Sequence, residues 1–536
     1  MTPPPKLVLA YVDSLRSDML ERAVAEGRAP TFARLLERGT YIPDCVSSFP
    51  SVTPVACAEM VTGRGAEEHW ISGMNWYHRL ERRYVDYGSS LEASRAFGVF
   101  RTLYDLVYNL NLAHLNPGIE TVFETLDDAK LRTACTPYLI YRGRHRHRVT
   151  LEGLTRRAID ISGLDLNSHT WGPRELFYGD LYSSRPVPCR SSSIPGSRDG
   201  YSACCAAELA GADLYDFLLL SLPDNDHYSH RHGPEASVES IAKADHCFTK
   251  LVTAAGGLDG FLADHALILL ADHAHSAVER EEDLAARLGE RWRVLAPSED
   301  SPEQAQLAVS PTGRAAHVYR IGPAAPDHAE LRAALGEMDG VDICCWVADG
   351  EGAAVERPTP GLPDTELWAT VTGPAGECAF RPADGPPGSA IVVRDRRGRE
   401  WLLRGDPAAL AAEVVPGDAV DAAGPAGANG STGAAGEGAA AEFAGAEYPD
   451  ALGRVWSALS NPNAGDVLVS ATPGYEFVDW GGASHLGGGS HGSLRREDSL
   501  GPLLFVGCGP TAPDDRAQWS LRDIVPAIHD HFGVTP

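Results

Sequence analysis

Imidazoles and carboxylates are grouped at four separated places along the 536-residue chain, and mixed donors of these two kinds are what hold divalent transition metals. Asp224, Asp226, His227, His230 and His232 fall within nine residues of the stretch Leu222 to Pro234. Asp226 and His230 stand at i and i+4, so on a helical turn they share a face and can grip one cation. His227 and His232 read as supporting or surface groups. A second group is Asp272-His273, with Ala274 and His275 following, where the apolar run Leu269 to Ala271 stops. Neighbours leaving a strand point to opposite sides, so Asp272 and His273 can serve one site only if the chain turns there. Asp13 closes the first apolar run of the chain, and His491 lies in the glycine-rich loop Gly487-Gly-Gly-Ser-His-Gly, with His485 just before it.

A fifth element carries hydroxyls instead of metal donors. Ser47-Ser-Phe-Pro-Ser-Val-Thr-Pro precedes a helix-forming run that ends at Thr62-Gly63. Thr53, followed by Pro54, is the natural N-cap. A hydroxyl beside a cation at the positive end of a helix is also a candidate nucleophile, placed where an anion is held.

Positioning these residues requires a sheet. The runs Leu7 to Val12, Phe217 to Leu222, Ala266 to Ala271, Val467 to Ser470 and Leu503 to Val506 are short, apolar and unalternating, as in parallel strands covered on both faces. Helical spacing between them, at Met19 to Glu26, Pro30 to Arg38 and Val238 to Ala255, predicts an α/β fold: a mostly parallel central sheet with helices on both faces. In such a sheet, loops at the carboxyl ends of the strands converge on one crevice. Residues 291–420 read as a small α+β insertion, with strands at Ala316 to Arg320, Val341 to Val347, Ala390 to Val393 and Glu400 to Leu403 around a helix at Ala329 to Met338. Residues 421–446, dominated by Ala and Gly, read as a flexible loop. Residues 1–290 then form the first part of the core and 447–536 its return to the same sheet.

In this order the five elements resemble the alkaline phosphatase superfamily, most closely its type I phosphodiesterase / nucleotide pyrophosphatase branch. The pattern D-x-x-x-H-x-x-G-P matches Asp226, His230, Gly233 and Pro234; a strand-terminal D-H-G is met in two of three places by Asp272-His273; a C-terminal H-G matches His491-Gly492. A nucleophile nine residues before the Thr of a T-G falls on Thr53, ahead of Ser48 and Ser51. The resemblance implies two divalent cations, zinc with manganese as the alternative: one on Asp226, His230 and His491, the other on Asp13, Asp272, His273 and the Thr53 oxygen. It further implies a phosphothreonine intermediate, and loosely matches Asn75 to a substrate-binding asparagine. Three places depart from the pattern. Ala56 stands where nucleotide pyrophosphatases carry Asn, Ala274 replaces a Gly, and Ser14-Leu15-Arg16 replaces a glycine-containing turn. The modification signature of sulfatases is missing around Thr53 and Cys57.

The expected activity is metal-dependent hydrolysis of phosphate esters, as a phosphodiesterase or nucleotide pyrophosphatase acting on a small phosphorylated substrate. A phosphomonoesterase or phosphonate hydrolase of the same superfamily is the alternative, and a binding module with an idle metal cleft is the reading from another class. A formal charge of −27 opposes a nucleic-acid scaffold or an anionic membrane partner. No stretch approaches the ~20 apolar residues of a membrane span. Eleven scattered cysteines without a C-x-x-C pair, and no signal peptide, read as reduced thiols in a cytoplasmic protein. The basic run Arg142 to Arg148 reads as a solvated loop in preference to an attractor of a phosphorylated substrate, Cys204-Cys205 and Cys344-Cys345 as small core residues, and Thr312-Gly313-Arg314 as a turn of the insertion facing the cleft or simply a hairpin.

Overall fold

Apolar runs with no polar alternation need cover on both faces, and the strand Lys6–Val12 shows how the chain provides it. Leu7, Leu9 and Tyr11 enter one core while Val8, Ala10 and Val12 enter the other. The computed structural model describes residues 5–148, 169–179, 181–190, 198–299, 301–355, 367–384, 388–416 and 440–535. Lys6–Val12 lies near the middle of an eight-stranded sheet whose order is Thr40–Val46, Leu500–Val506, His265–Leu270, Lys6–Val12, Phe217–Leu222, Thr133–Cys135, Glu175–Tyr178, Tyr182–Ser183. The five strands from His265–Leu270 to Glu175–Tyr178 are parallel, and antiparallel strands flank them. Helices Thr53–Thr62, Val122–Asp128 and Ile524–Phe532 cover one face; Ser17–Ala25, Pro30–Leu36, Arg198–Gly211 and Val238–Ala254 cover the other. The fold is α/β, with the parallel centre that the apolar runs require.

The insertion is larger than its sequence pattern suggests. It builds a ten-stranded, almost wholly antiparallel sheet in the order Leu307–Thr312, Ala315–Arg320, Val467–Ala471, Val341–Ala348, Trp368–Gly373, Gly376–Pro382, Glu400–Gly405, Ile391–Arg394, Ala441–Ala444, Glu413–Val415. Two expectations are corrected here. Val467–Ala471 does not rejoin the first sheet but pairs with Ala315–Arg320 and Val341–Ala348 in the second. A buried apolar run declares burial on both faces and nothing about which sheet it joins. Within the segment 421–446, residues 421–439 lie outside the described residues, and Ala441–Ala444 is a strand, not loop. The helix Ala451–Ser460 packs Leu452, Val455 and Leu459 under this second sheet. The chain returns to the first sheet only with Leu500–Val506.

The cysteine expectation is corrected as well. Cys189 and Cys204 are joined in a disulfide, so the thiols are not all reduced, and the argument for a cytoplasmic setting that rested on them falls away. Cys205, Cys344 and Cys345 are buried core residues. Arg142 is no solvated loop residue: it is buried, donating to the carbonyls of Leu115 and Asn116 and pairing with Glu124. No helix among the described residues is long and apolar enough to cross a membrane. In denaturant without reductant, a thiol reagent is expected to titrate the nine unpaired cysteines, and two further thiols only after reduction. Eleven thiols before reduction would refute the bond.

Candidate metal centre and nucleophile

Three adjacent parallel strands deliver the carboxylates. Val12 lies opposite Leu222, and Tyr11 opposite Leu270, so all three strands end together. Asp13 leaves the first strand with its N–H bonded to the Leu222 carbonyl (3.1 Å) and its own carbonyl held by the Asn225 amide (2.7 Å). The second strand passes through Pro223 into the helix Asp224–His232, which carries Asp226 and His230 on one face. The third bends at Asp272, and this turn aims Asp272 and His273 into the same pocket, with Asp272 Oδ2 3.1 Å from His273 Nε2.

His491 arrives from the far end of the chain and is held on two sides. Its Nδ1 hydrogen bonds to the Ser51 carbonyl (2.8 Å), and its own carbonyl accepts from the Arg314 N–H (2.7 Å) at the hairpin turn Thr312-Gly313-Arg314. Gly492 has φ +124, and a Cβ there would lie 2.7 Å from the Thr312 carbonyl oxygen, so only glycine lets the two loops touch. Gly488 is equally constrained, since a Cβ would meet the His230 carbonyl oxygen at 1.9 Å. Arg314, buried, donates to Asp498 (2.8 Å), and Asp498 accepts from Ser493 N–H (3.0 Å) while its carbonyl accepts from Ala274 N–H (2.9 Å). The insertion's turn is therefore a brace for two of the site's loops, a role that its sequence did not disclose.

The structure brings Asp13, Thr53, Asp226, His230, Asp272, His273 and His491 together. Nδ1 of His230 bonds the Gly489 carbonyl (2.8 Å) and Nδ1 of His273 lies 3.1 Å from the Ala274 carbonyl. With Nδ1 so occupied, Nε2 of His230, His273 and His491 faces inward as a lone-pair donor. Asp226 Oδ1 lies 3.4 Å from His230 Nε2 and 3.6 Å from His491 Nε2. The donor atoms of Asp226, His230, His275 and His491 lie within 4.8 Å of one another, and so do those of Asp13, Asp226 and His273. Asp13 Oδ1 is buried without a hydrogen-bond partner. Burial, and then the charges of Asp272 and Asp226, hold the Asp13 carboxyl well above the usual carboxylate range. Burial pushes the His491 imidazole down to about 3 and lowers that of His230, keeping both neutral. His273 is raised despite its burial, because Asp272 stands against it. Neutral imidazoles, crowded carboxylates and an orphaned carboxylate oxygen are a donor set that fits divalent cations such as zinc.

Thr53 is not the N-cap. Val52 takes that place, and Thr53 is the first residue of the ten-residue helix Thr53–Thr62. Its hydroxyl, freed from capping, lies 3.3 Å from His273 Nε2. The two competing hydroxyls are spent on backbone carbonyls, Ser48 on Pro50 (2.8 Å) and Ser51 on Ser493 (2.9 Å). Asn75, the expected substrate-binding residue, is held against the first strand of the second sheet. Its amide donates to the Pro311 carbonyl, at 2.5 Å, and makes no hydrogen bond to any of the seven residues. His275 was missed, although it stands two residues after His273; its place after a terminated strand reads equally well as an ordinary turn histidine.

Ser14 resolves one of the departures. It adopts φ +56, a left-handed conformation that costs a non-glycine residue about 1–2 kcal/mol. Its N–H bonds Asp272 Oδ1 (3.1 Å), and its hydroxyl lies 2.7 Å from Asp226 Oδ1 and 3.1 Å from His273 Nδ1, bridging the two donor groups. Ala274 is not among the residues with positive φ, so its methyl group carries no backbone penalty. Ser14→Gly is expected to keep the fold, since glycine suits that conformation, while weakening metal binding by about 10–100-fold, as loss of a supporting hydrogen bond does. Unchanged affinity in a metal titration would show that the hydroxyl does not hold Asp226 and His273.

The model of the type I phosphodiesterase / nucleotide pyrophosphatase family matches residues 7–341. No curated protein matches in sequence. Among solved structures, murine ectonucleotide pyrophosphatase / phosphodiesterase 5 is similar with a TM-score of 0.53 at 12% identity, over 99% of this chain and 95% of that one. Phosphonoacetate hydrolase from Sinorhizobium meliloti 1021, in complex with phosphonoformate, gives 0.52 at 14%, over 99% and 96%. The human ectonucleotide pyrophosphatase / phosphodiesterase 5 gives 0.52 at 13%, over 99% and 95%. At such identities these likenesses speak for the fold; the family model, which spans more than half of the chain, speaks for membership. The chain belongs to the type I phosphodiesterase / nucleotide pyrophosphatase family.

Proposed function

We propose that this phosphoester hydrolase works through Thr53 as nucleophile, on a small phosphate diester or pyrophosphate, with Asp13, Asp272 and His273 holding one divalent cation beside the hydroxyl and Asp226, His230 and His491 holding another. The observation that carries the reading is the Thr53 hydroxyl, unspent on capping and 3.3 Å from His273 Nε2, next to crowded carboxylates. Divalent cations on these residues would supply the positive charge that favours the Thr53 alkoxide and offsets charge on the phosphoryl oxygens. Thr53 Oγ1 attacks phosphorus, its proton passing to water, and the bond to the leaving oxygen breaks. Water then attacks the phosphothreonine, the Oγ1–P bond breaks, and Thr53 recovers its proton. The amino end of the Thr53–Thr62 helix faces the anion with its positive dipole end. His273 and His491, their Nδ1 protons held by backbone carbonyls, present fixed donors and need no rearrangement during turnover.

Ala56 is fully buried and brings no amide to the phosphoryl group. That absence bears on the leaving group, and a substrate panel reads it. Bis-nitrophenyl phosphate is expected to turn over faster than nitrophenyl phosphate or phosphonoacetate; the reverse order would make the chain a monoesterase or a phosphonate hydrolase of the same superfamily. Thr53→Ala should retain its metals and lose at least about 1,000-fold in kcat, in the range seen when an enzyme's nucleophile is removed. Parental turnover in Thr53→Ala would remove Thr53 from the reaction.

A further inference from the structure

His275 is the one buried imidazole at this site to which the family pattern gives no work. It is 1% exposed, and neither ring nitrogen has a hydrogen-bond partner. A buried unsatisfied polar group costs about 1–3 kcal/mol, so two on one ring call for an occupant. Nδ1 of His275 is 3.7 Å from Asp226 Oδ1, and the ring centroid lies 4.4 Å from that of His230 and 5.0 Å from that of His491. With bonds of 2.0–2.1 Å, a tetrahedral zinc separates neighbouring donor atoms by about 3.3–3.4 Å. The spacings from Asp226 Oδ1 to His230, His491 and His275, at 3.4, 3.6 and 3.7 Å, lie close to that edge length.

The backbone is built to hold the ring there. Directly after His275, Ser276 and Ala277 pair with Ser490 and Gly489 in a two-stranded antiparallel ribbon. That ribbon ties His275 to the loop that carries His491 and to Gly489, whose carbonyl fixes His230. A Cβ at Gly489 would come within 3.0 Å of the His275 ring, so glycine leaves the ring its space.

We propose that His275 is a fourth protein ligand, completing an Asp226, His230, His275, His491 set that binds its cation more tightly than the Asp13, Asp272, His273 set and fills first. This rests on the metal-dependent reading above. Three imidazoles and one carboxylate close a tetrahedron with strong donors, whereas the fourth donor of the other group is the Thr53 hydroxyl, a weaker ligand that the reaction itself uses.

Titration of the metal-free full-length protein with Co2+ tests it, with visible absorption as the readout. The first equivalent should give the intense bands of a four-coordinate ion, and the second equivalent weaker additions. In His275→Ala and His275→Gln, the first-equivalent bands should lose most of their intensity, and affinity should fall at least about tenfold, the lower bound for loss of even a supporting partner. Gln keeps hydrogen-bonding capacity and bulk, so it separates ligation from packing, and melting of the metal-free variants reports folding independently. Parental bands and affinity in His275→Gln would overturn the proposal while leaving the two-metal reading intact. A parent chain that binds no Co2+ would overturn both.

Discussion

Asp13, Asp226 and Asp272 are gathered at the ends of three neighbouring strands, and carboxylates so crowded cannot all keep their charge away from water without positive charge among them. The surrounding structure answers this constraint in part. Tyr11 donates to Asp272, the Ser14 N–H and hydroxyl reach Asp272 and Asp226, and His273 stands against Asp272. Asp13 Oδ1 is left without a partner. The pocket is thus organised for a cation before one arrives, and the strands that impose the crowding are anchored by apolar cores on both faces of the sheet.

The second sheet is part of that organisation. Its hairpin turn places Arg314 against Asp498, and through Ser493 and Ala274 this buried pair holds the segments that carry His491 and His273. Such a pair contributes little net stability, because desolvation offsets most of its attraction, but it allows one arrangement of the loops and penalises others. Ser14 acts in the same sense at smaller scale: a strained backbone is retained where its hydroxyl joins the two donor groups.

Much of the site was legible because its donors are chemically unusual at the ends of apolar runs. The Asp226/His230 pair is marked by its own spacing, whereas Asp13 and Asp272, at strand ends where an open parallel sheet converges, are suggestive by position and gain their assignment as ligands from the family pattern. His491 was legible only through its place in the family pattern, since a histidine in a glycine-rich loop says little by itself. Ser14 and Arg314 were not legible as contributors, nor His275 as a candidate, because each meets residues remote in the chain: Ser14 reaches Asp226 and Asp272, Arg314 reaches Asp498, and His275 faces Asp226 and His491. In the fold, the run at Val467 revealed a buried strand, but membership of a sheet is decided by pairing partners, and these lie in the insertion.

Leu500–Val506 lies between Thr40–Val46 and His265–Leu270, and no other strand fills that gap. Without it both neighbours would present unpaired edges, a ready template for pairing with another chain, so this one strand also guards the sheet against edge-to-edge association.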